Sequence, residues 1–127
     1  MGVYFHIPFC RHACHYCDFH FSTKLDAQED LVVAMLKEME LRKEEIVQHE
    51  INTIYFGGGT PSLLTESQLG RMLESLGEGM SSAKEITLEA NPEDLTTEYL
   101  RMLQRLGINR LSIGVQSFYD EHLEYMN

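Results

Sequence analysis

At 127 residues the chain has room for one domain or part of one, and its 43% apolar content excludes wholesale disorder. With 20 acidic and 10 basic residues the formal charge is −10, so nucleic acid is excluded as the main partner: no basic stripe is present to neutralise phosphates. No apolar run approaches the roughly 20 residues of a membrane-spanning helix, and the start, Met1-Gly-Val-Tyr-Phe-His, reads as a strand rather than a basic targeting segment.

In chain order, residues 2–7 predict a strand, followed by Pro8 and a loop holding all 3 cysteines, Cys10, Cys14 and Cys17, spaced C-x3-C-x2-C. Asp26 with Glu29 resembles a helix N-cap and capping box. Leu31, Val32, Met35, Leu36, Met39, Ile46 and Val47 then mark one face of a long helix. Residues 52–56 predict a second strand ending in Gly57-Gly58-Gly59, and Thr65-x-x-Gln68 caps a second helix with Leu69, Met72, Leu73 and Leu76 inward, stopping near Gly77 and Gly79. A third strand spans 84–90. Thr96 opens a third helix through Leu100, Leu103 and Leu106, ended by Gly107; a fourth strand covers 109–115, and a last helix runs from Asp120 to Asn127. Strands alternating with helices over short links imply a parallel sheet with right-handed crossovers.

The strands also alternate internally. Val3/Phe5/Ile7, Ile54/Phe56, Ile86/Leu88/Ala90 and Leu111/Ile113/Val115 make one apolar face for helices to cover. The other face carries Tyr4/His6, Thr53/Tyr55, Thr87/Glu89 and Ser112/Gly114/Gln116, too polar for the interior of a tightly filled eight-stranded barrel. A curved, incompletely closed barrel with a polar, ligand-holding lumen fits this pattern; solvent-facing residues of an ordinary sheet are the alternative.

Three thiolates in one short run can converge on a soft metal centre, and three is the number that leaves one iron of a four-iron cluster without a protein ligand. A structural zinc completed by His6, His12, His15 or His20 is the competing reading. Zinc frameworks usually pair C-x2-C knuckles, and no second knuckle exists here. Disulfides are disfavoured by the odd count within one loop, and a reducing cytoplasm suits free thiolates. Gly57-Gly58-Gly59-Thr60-Pro61-Ser62 is neither a Walker loop nor a G-x-G-x-x-G fingerprint. At a strand end its glycines permit close backbone approach; its carbonyls could accept from an ammonium group, with the Thr60 hydroxyl adding a polar contact. Read alone, the same loop is equally an ordinary turn.

Together these segments carry a resemblance. Tyr4-Phe-His-Ile-Pro-Phe-Cys10, the cysteine motif, Tyr55-Phe-Gly-Gly-Gly-Thr-Pro-Ser62, Leu88-Glu-Ala-Asn-Pro92 and Leu111-Ser-Ile-Gly-Val-Gln-Ser-Phe118 occur in order, at predicted strand ends. The chain resembles the coproporphyrinogen-oxidase-like branch of the radical S-adenosylmethionine (SAM) superfamily over its whole length. That resemblance implies an α/β fold, a partial TIM-like (β/α) barrel with the first four strand–helix units present. It implies a [4Fe-4S] cluster on Cys10, Cys14 and Cys17, with SAM chelating the open iron. It further implies that Gly57, Gly58, Gly59 and Thr60 hold the SAM amino group, with Glu89 and Gln116 reaching toward its polar atoms. Tyr4 would lie near the cluster and sulfonium, and Tyr16 beside the adenine. The oxygen-independent coproporphyrinogen dehydrogenases carry a fourth cysteine two residues after the third, where this chain has Phe19, and an N-terminal extension before the first strand. In both respects the chain looks like the HemW-type heme chaperones, which bind heme and pass it to acceptor proteins. The expectation is that residues 1–127 are the N-terminal part of a radical SAM core domain, with the rest of the barrel and a C-terminal domain missing.

Overall fold

The protein is described by a computed structural model covering residues 1–126 other than 16 and 19. The expectations for Tyr16 and Phe19, and for the helix end at Asn127, lie outside the described residues. In chain order the elements are β1 (Gly2–Ile7), α1 (Gln28–Leu41), α2 (Lys43–Val47), β2 (Thr53–Gly58), α3 (Glu66–Glu74), α4 (Glu78–Ser82), β3 (Glu85–Ala90), α5 (Thr97–Arg105), β4 (Arg110–Ile113) and α6 (Asp120–Met126). Short 3-10 turns, Pro61–Leu63 and Pro92–Asp94, follow β2 and β3.

The four strands form one sheet in the order β1-β2-β3-β4, every neighbouring pair parallel. Each crossover steps one place in the same direction, unlike a doubly wound sheet, whose order reverses at a switch point. With crossovers of one hand, unidirectional winding puts the helices on one face, as in the wall of a (β/α) barrel. The register places Phe5 beside Phe56, His6 beside Gly57, and Glu89 beside Ser112.

Burial follows that geometry. Phe5, Ile7, Ile54, Phe56, Ile86, Leu88 and Ala90 are buried with Val32 of α1, Leu69, Met72 and Leu73 of α3, and Met102 and Leu103 of α5. The Phe5 and Phe56 rings stack at 4.9 Å. The opposite face is open at Tyr4, His6, Thr53 and Ser112. Thr87 is its exception: fully buried, it donates from Oγ1 to Glu85 Oε1 and accepts from Arg110 Nη1, beneath the Arg110–Glu85 ion pair.

Local capping holds for two helices and fails for one. Thr65 and Gln68 form the expected reciprocal box, and Thr96 Oγ1 accepts from Tyr99 N. Asp26 does not cap α1. It lies in a 3-10 turn, Leu25–Ala27, and the N-cap is Ala27 with no side-chain bond. Glu29 instead accepts from Gln68 Nε2 at 3.0 Å and Arg71 Nη2 at 2.7 Å, tying α1 to α3. Those two donors hold its carboxyl below the usual range. A tertiary pair of donors thus replaces the local amide that the capping box would have used.

The long first helix is broken at Arg42, whose φ of −102° and ψ of 13° leave the helical well. The apolar stripe loses phase there, so Ile46 stays partly buried while Val47 is exposed. In α5 the inward positions are 99, 102, 103 and 106, a true 3/4 spacing, and Leu100 at its margin is exposed. Strand β4 is shorter than expected, and Ile113 and Val115 are exposed rather than covered by a helix.

The inward position of Tyr99 has a cost, because its hydroxyl is buried with no hydrogen-bond partner among the described residues. Burial, with the Asp94 charge adding to it, pushes its pKa up to about 12. The folded state therefore holds this proton more tightly than the unfolded one, and stability falls as pH rises from about 10 to about 12. Tyr99→Phe should abolish that alkaline slope and be neutral or stabilising by up to about 1 kcal/mol at pH 7, read by urea unfolding at several pH values.

Candidate functional site

The C-terminal ends of the four strands open into a cavity of about 650 Å³. Its wall includes Cys10, Cys14 and Cys17 together with Gly58, Gly59, Thr60, Glu89 and Gln116. These eight residues lie on four separate chain segments, brought together by the parallel register at the edge where α/β sheets bind ligands.

The sheet's hydrogen bonding runs on past the strands and positions the cysteine loop. Gly59 N donates to Ile7 O at 2.8 Å and Thr60 N to Phe9 O at 2.7 Å. Ser22 N donates to Pro8 O and Cys10 N to Ser22 O, closing the loop at its base. Gly59 must be glycine for packing reasons: a Cβ there would stand 2.6 Å from Phe9 O and 2.9 Å from Cys10 Sγ. Thr60 Oγ1 donates to Cys10 Sγ at 3.6 Å.

All three thiols are free and half-buried. Burial pushes the Cys10 thiol up, the Thr60 hydroxyl works against it, and the Cys17 and Cys14 charges push it up again. Three soft donors whose charges repel one another in one cavity wall suit a cationic metal centre. Among the described residues, no three His, Cys, Asp or Glu side chains gather closely enough to hold a single metal ion. Three thiolates, each able to take a separate iron, are the donor number of a four-iron cluster with one iron left open. The donor set fits a cluster.

Glu89 is tightly held. Tyr55 Oη donates to its Oε1 at 2.7 Å and Gly58 N to its Oε2 at 3.0 Å. Gly58 has a φ of +118°, open to glycine, and a Cβ there would meet the His6 ring at 2.9 Å. The Gly58 amide is thus committed to Glu89, so the glycine loop supplies a carboxylate clamp as well as open carbonyls. Donation to Glu89, then burial, raises the Tyr55 pKa.

Tyr4 and Gly57 stand beside the cavity rather than in its wall. Tyr4 is 57% exposed, stacks on Tyr55 at 5.9 Å and shares a 3.2 Å hydrogen bond with His6 Nδ1. Gly57 is buried beneath those rings, where a Cβ would lie 2.8 Å from Tyr55 and 2.9 Å from Tyr4. Gln116 reaches the cavity from a backbone with φ of +62°, uncommon for a residue with a side chain.

Several wall residues had no signal in the spacing: Arg11, Asn91, and Leu123 and Met126 of α6, whereas Ser112 stands on the polar face that the strand alternation marked. Helix α6 reaches back to the cysteine loop, where Met126 O accepts from His15 N at 3.3 Å. Asp94, just behind the wall, reads in sequence as an ordinary acidic residue ahead of a helix.

A family model described as the radical SAM superfamily matches residues 4–127. The chain belongs to the radical SAM superfamily. It is 41% identical over 127 residues to heme chaperone HemW of Bacillus subtilis (strain 168), covering 97% of this chain and 34% of that protein. To heme chaperone HemW of Escherichia coli (strain K12) it is 38% identical over 129 residues, covering 98% and 34%. The chain thus spans about a third of the length of these relatives. Among solved structures, coproporphyrinogen III oxidase (HemN) from Escherichia coli, a radical SAM enzyme, superposes with a TM-score of 0.74 at 30% identity, over 94% of this chain and 29% of that one.

Gly59→Ala should push Cys10 out of place. Reconstituted protein should bind less than half the wild-type iron, and Cys10 should alkylate faster in the iron-free form. Gly70→Ala, whose Cβ would meet only Leu106 at 3.8 Å, should leave iron content unchanged and stabilise α3 by about 0.5–1 kcal/mol.

Proposed function

We propose that residues 1–127 form the N-terminal part of a radical SAM core domain that carries a [4Fe-4S] cluster and SAM, in a cytoplasmic protein that binds heme and passes it to acceptor proteins. The observation that supports this most directly is that three thiols, the glycine loop and Glu89 share one cavity wall. Cys10, Cys14 and Cys17 would ligate three irons, leaving the fourth for SAM. When bound, this pair supplies one-electron chemistry to the site.

The chain's own residues do the holding. Thr60 Oγ1 directs a proton at Cys10 Sγ, stabilising charge on that sulfur. Glu89, fixed by Tyr55 and Gly58, presents a carboxylate whose remaining lone pairs can accept from the ammonium group of SAM. Such a zwitterion is buried only where its charges find partners, and Gln116 adds a neutral amide to the same cavity wall. Ile113, Leu123 and Met126 give the wall an apolar side. Cys14→Ala should abolish the cluster's spectrum and most bound iron, whereas Glu89→Ala should keep the iron and weaken SAM binding at least tenfold, about 1.4 kcal/mol, in anaerobic titration.

Heme handling is favoured over porphyrin oxidation by the similarity to two HemW heme chaperones and by Phe19, which stands where the dehydrogenases carry a fourth cysteine. The fold match to HemN keeps a second reading in view, oxidative decarboxylation of coproporphyrinogen III. The full-length protein should bind heme stoichiometrically and show no anaerobic conversion of coproporphyrinogen III to protoporphyrinogen IX. Turnover without stable heme binding would replace the chaperone reading with the enzyme.

A further inference from the structure

Asp94 lies outside the sheet and contributes nothing to the cavity wall, yet its side chain is only 4% exposed. One carboxylate oxygen accepts from Ser62 Oγ at 2.6 Å, and Ser62 Oγ in turn accepts from Asn91 N at 3.3 Å. The other oxygen stands 2.7 Å from Arg11 Nη2, a charge contact rather than an aligned hydrogen bond. Asp94 therefore touches the glycine loop through Ser62, the end of β3 through Asn91, and the cysteine loop through Arg11.

This pair differs in kind from the other ion pairs. In each of the other 6 described, both side chains are at least 37% exposed, so solvent screens them and they contribute little. Asp94 is shielded, and a buried carboxylate deprived of its cation is strongly disfavoured. Arg11 also sits at a mechanically useful place, directly after Cys10 and three residues before Cys14. Among the described residues, no other side chain between Cys10 and Ser22 makes a hydrogen bond or ion pair with the rest of the fold. Main-chain bonds hold the loop's base and join His15 N to Met126 O, and among the described residues Arg11 is the side chain that ties the outward arm to the sheet end.

We infer that Asp94 is a positioning residue, a buried post that holds the cysteine loop in register with the glycine loop through Arg11 and Ser62. This rests on reading the three cysteines as cluster ligands, and its consequence is that the Arg11–Asp94 contact governs how well the cluster is retained. Arg11 is half-exposed, so replacing it leaves the core intact.

The test is a double-mutant cycle on the anaerobically reconstituted full-length protein with Arg11→Met, Asp94→Asn and the pair. Each single variant should release iron to a chelator about fivefold faster than wild type, and the double variant should be no faster than the faster single, because one contact is lost in all three. Arg11→Lys should restore retention to within about twofold, since it keeps the charge. In the iron-free protein, Cys14 should alkylate faster in Arg11→Met than in wild type. Wild-type release and alkylation rates in Arg11→Met, or additive effects in the double variant, would overturn the inference. If wild type takes up no iron, the cluster reading fails, and the alkylation arm still decides whether Arg11 positions the loop.

Discussion

The parallel pairing of β1 with β2 does not stop where the strands end, and the site depends on that continuation. Two more main-chain bonds, Gly59 N to Ile7 O and Thr60 N to Phe9 O, carry the ladder into the loops. They bring the glycine loop against the first cysteine so closely that position 59 has no room for a Cβ. The cysteine loop is closed at its base by the bonds between Ser22 and Pro8 and between Cys10 and Ser22, and the ladder adds a second hold on its first cysteine. Extending the ladder transfers the rigidity of the sheet to Cys10 without adding an element.

The polar face of the sheet serves the same end by different means. A parallel sheet normally buries both faces, and the helices cover only one here. Tyr55, Glu89 and the Gly58 amide satisfy one another, so this carboxylate at the cavity is already hydrogen-bonded within the fold. Such preorganisation lowers the reorganisation that a charged ligand must drive. The amide that reaches Glu89 belongs to a glycine with φ of +118° at the end of β2, a backbone that a residue with a side chain rarely adopts.

The fold and the site differ in how they are held. The core on the helical face is made of branched and aromatic side chains that tolerate exchange within limits of volume. The cavity wall is held by individual polar contacts, Thr60 on Cys10, Ser62 and Arg11 on Asp94, and Tyr55 on Glu89. Each rests on one or two named partners, so the site has less redundancy than the core beneath it.

Most of the fold was legible in sequence because strands and helices write their burial as periods of two and of three to four. Val3 to Ile7, Ile86 to Ala90 and Leu69 to Leu73 announce their buried faces this way, and the order of strand and helix dictates a parallel sheet. The cysteine spacing and the glycine run were legible for a similar reason: their chemistry is local. What the sequence could not show is any choice made between distant residues. Glu29 leaves a local cap for Gln68 and Arg71, Arg42 breaks the helical phase and exposes Val47, and Ile113 and Val115 find no helix to cover them. Glu89 finds Gly58, and Asp94 finds Ser62 and Arg11. These pairings span 31, 32 and 83 residues along the chain, where no period links the partners, and only the folded register decides which donor is nearest.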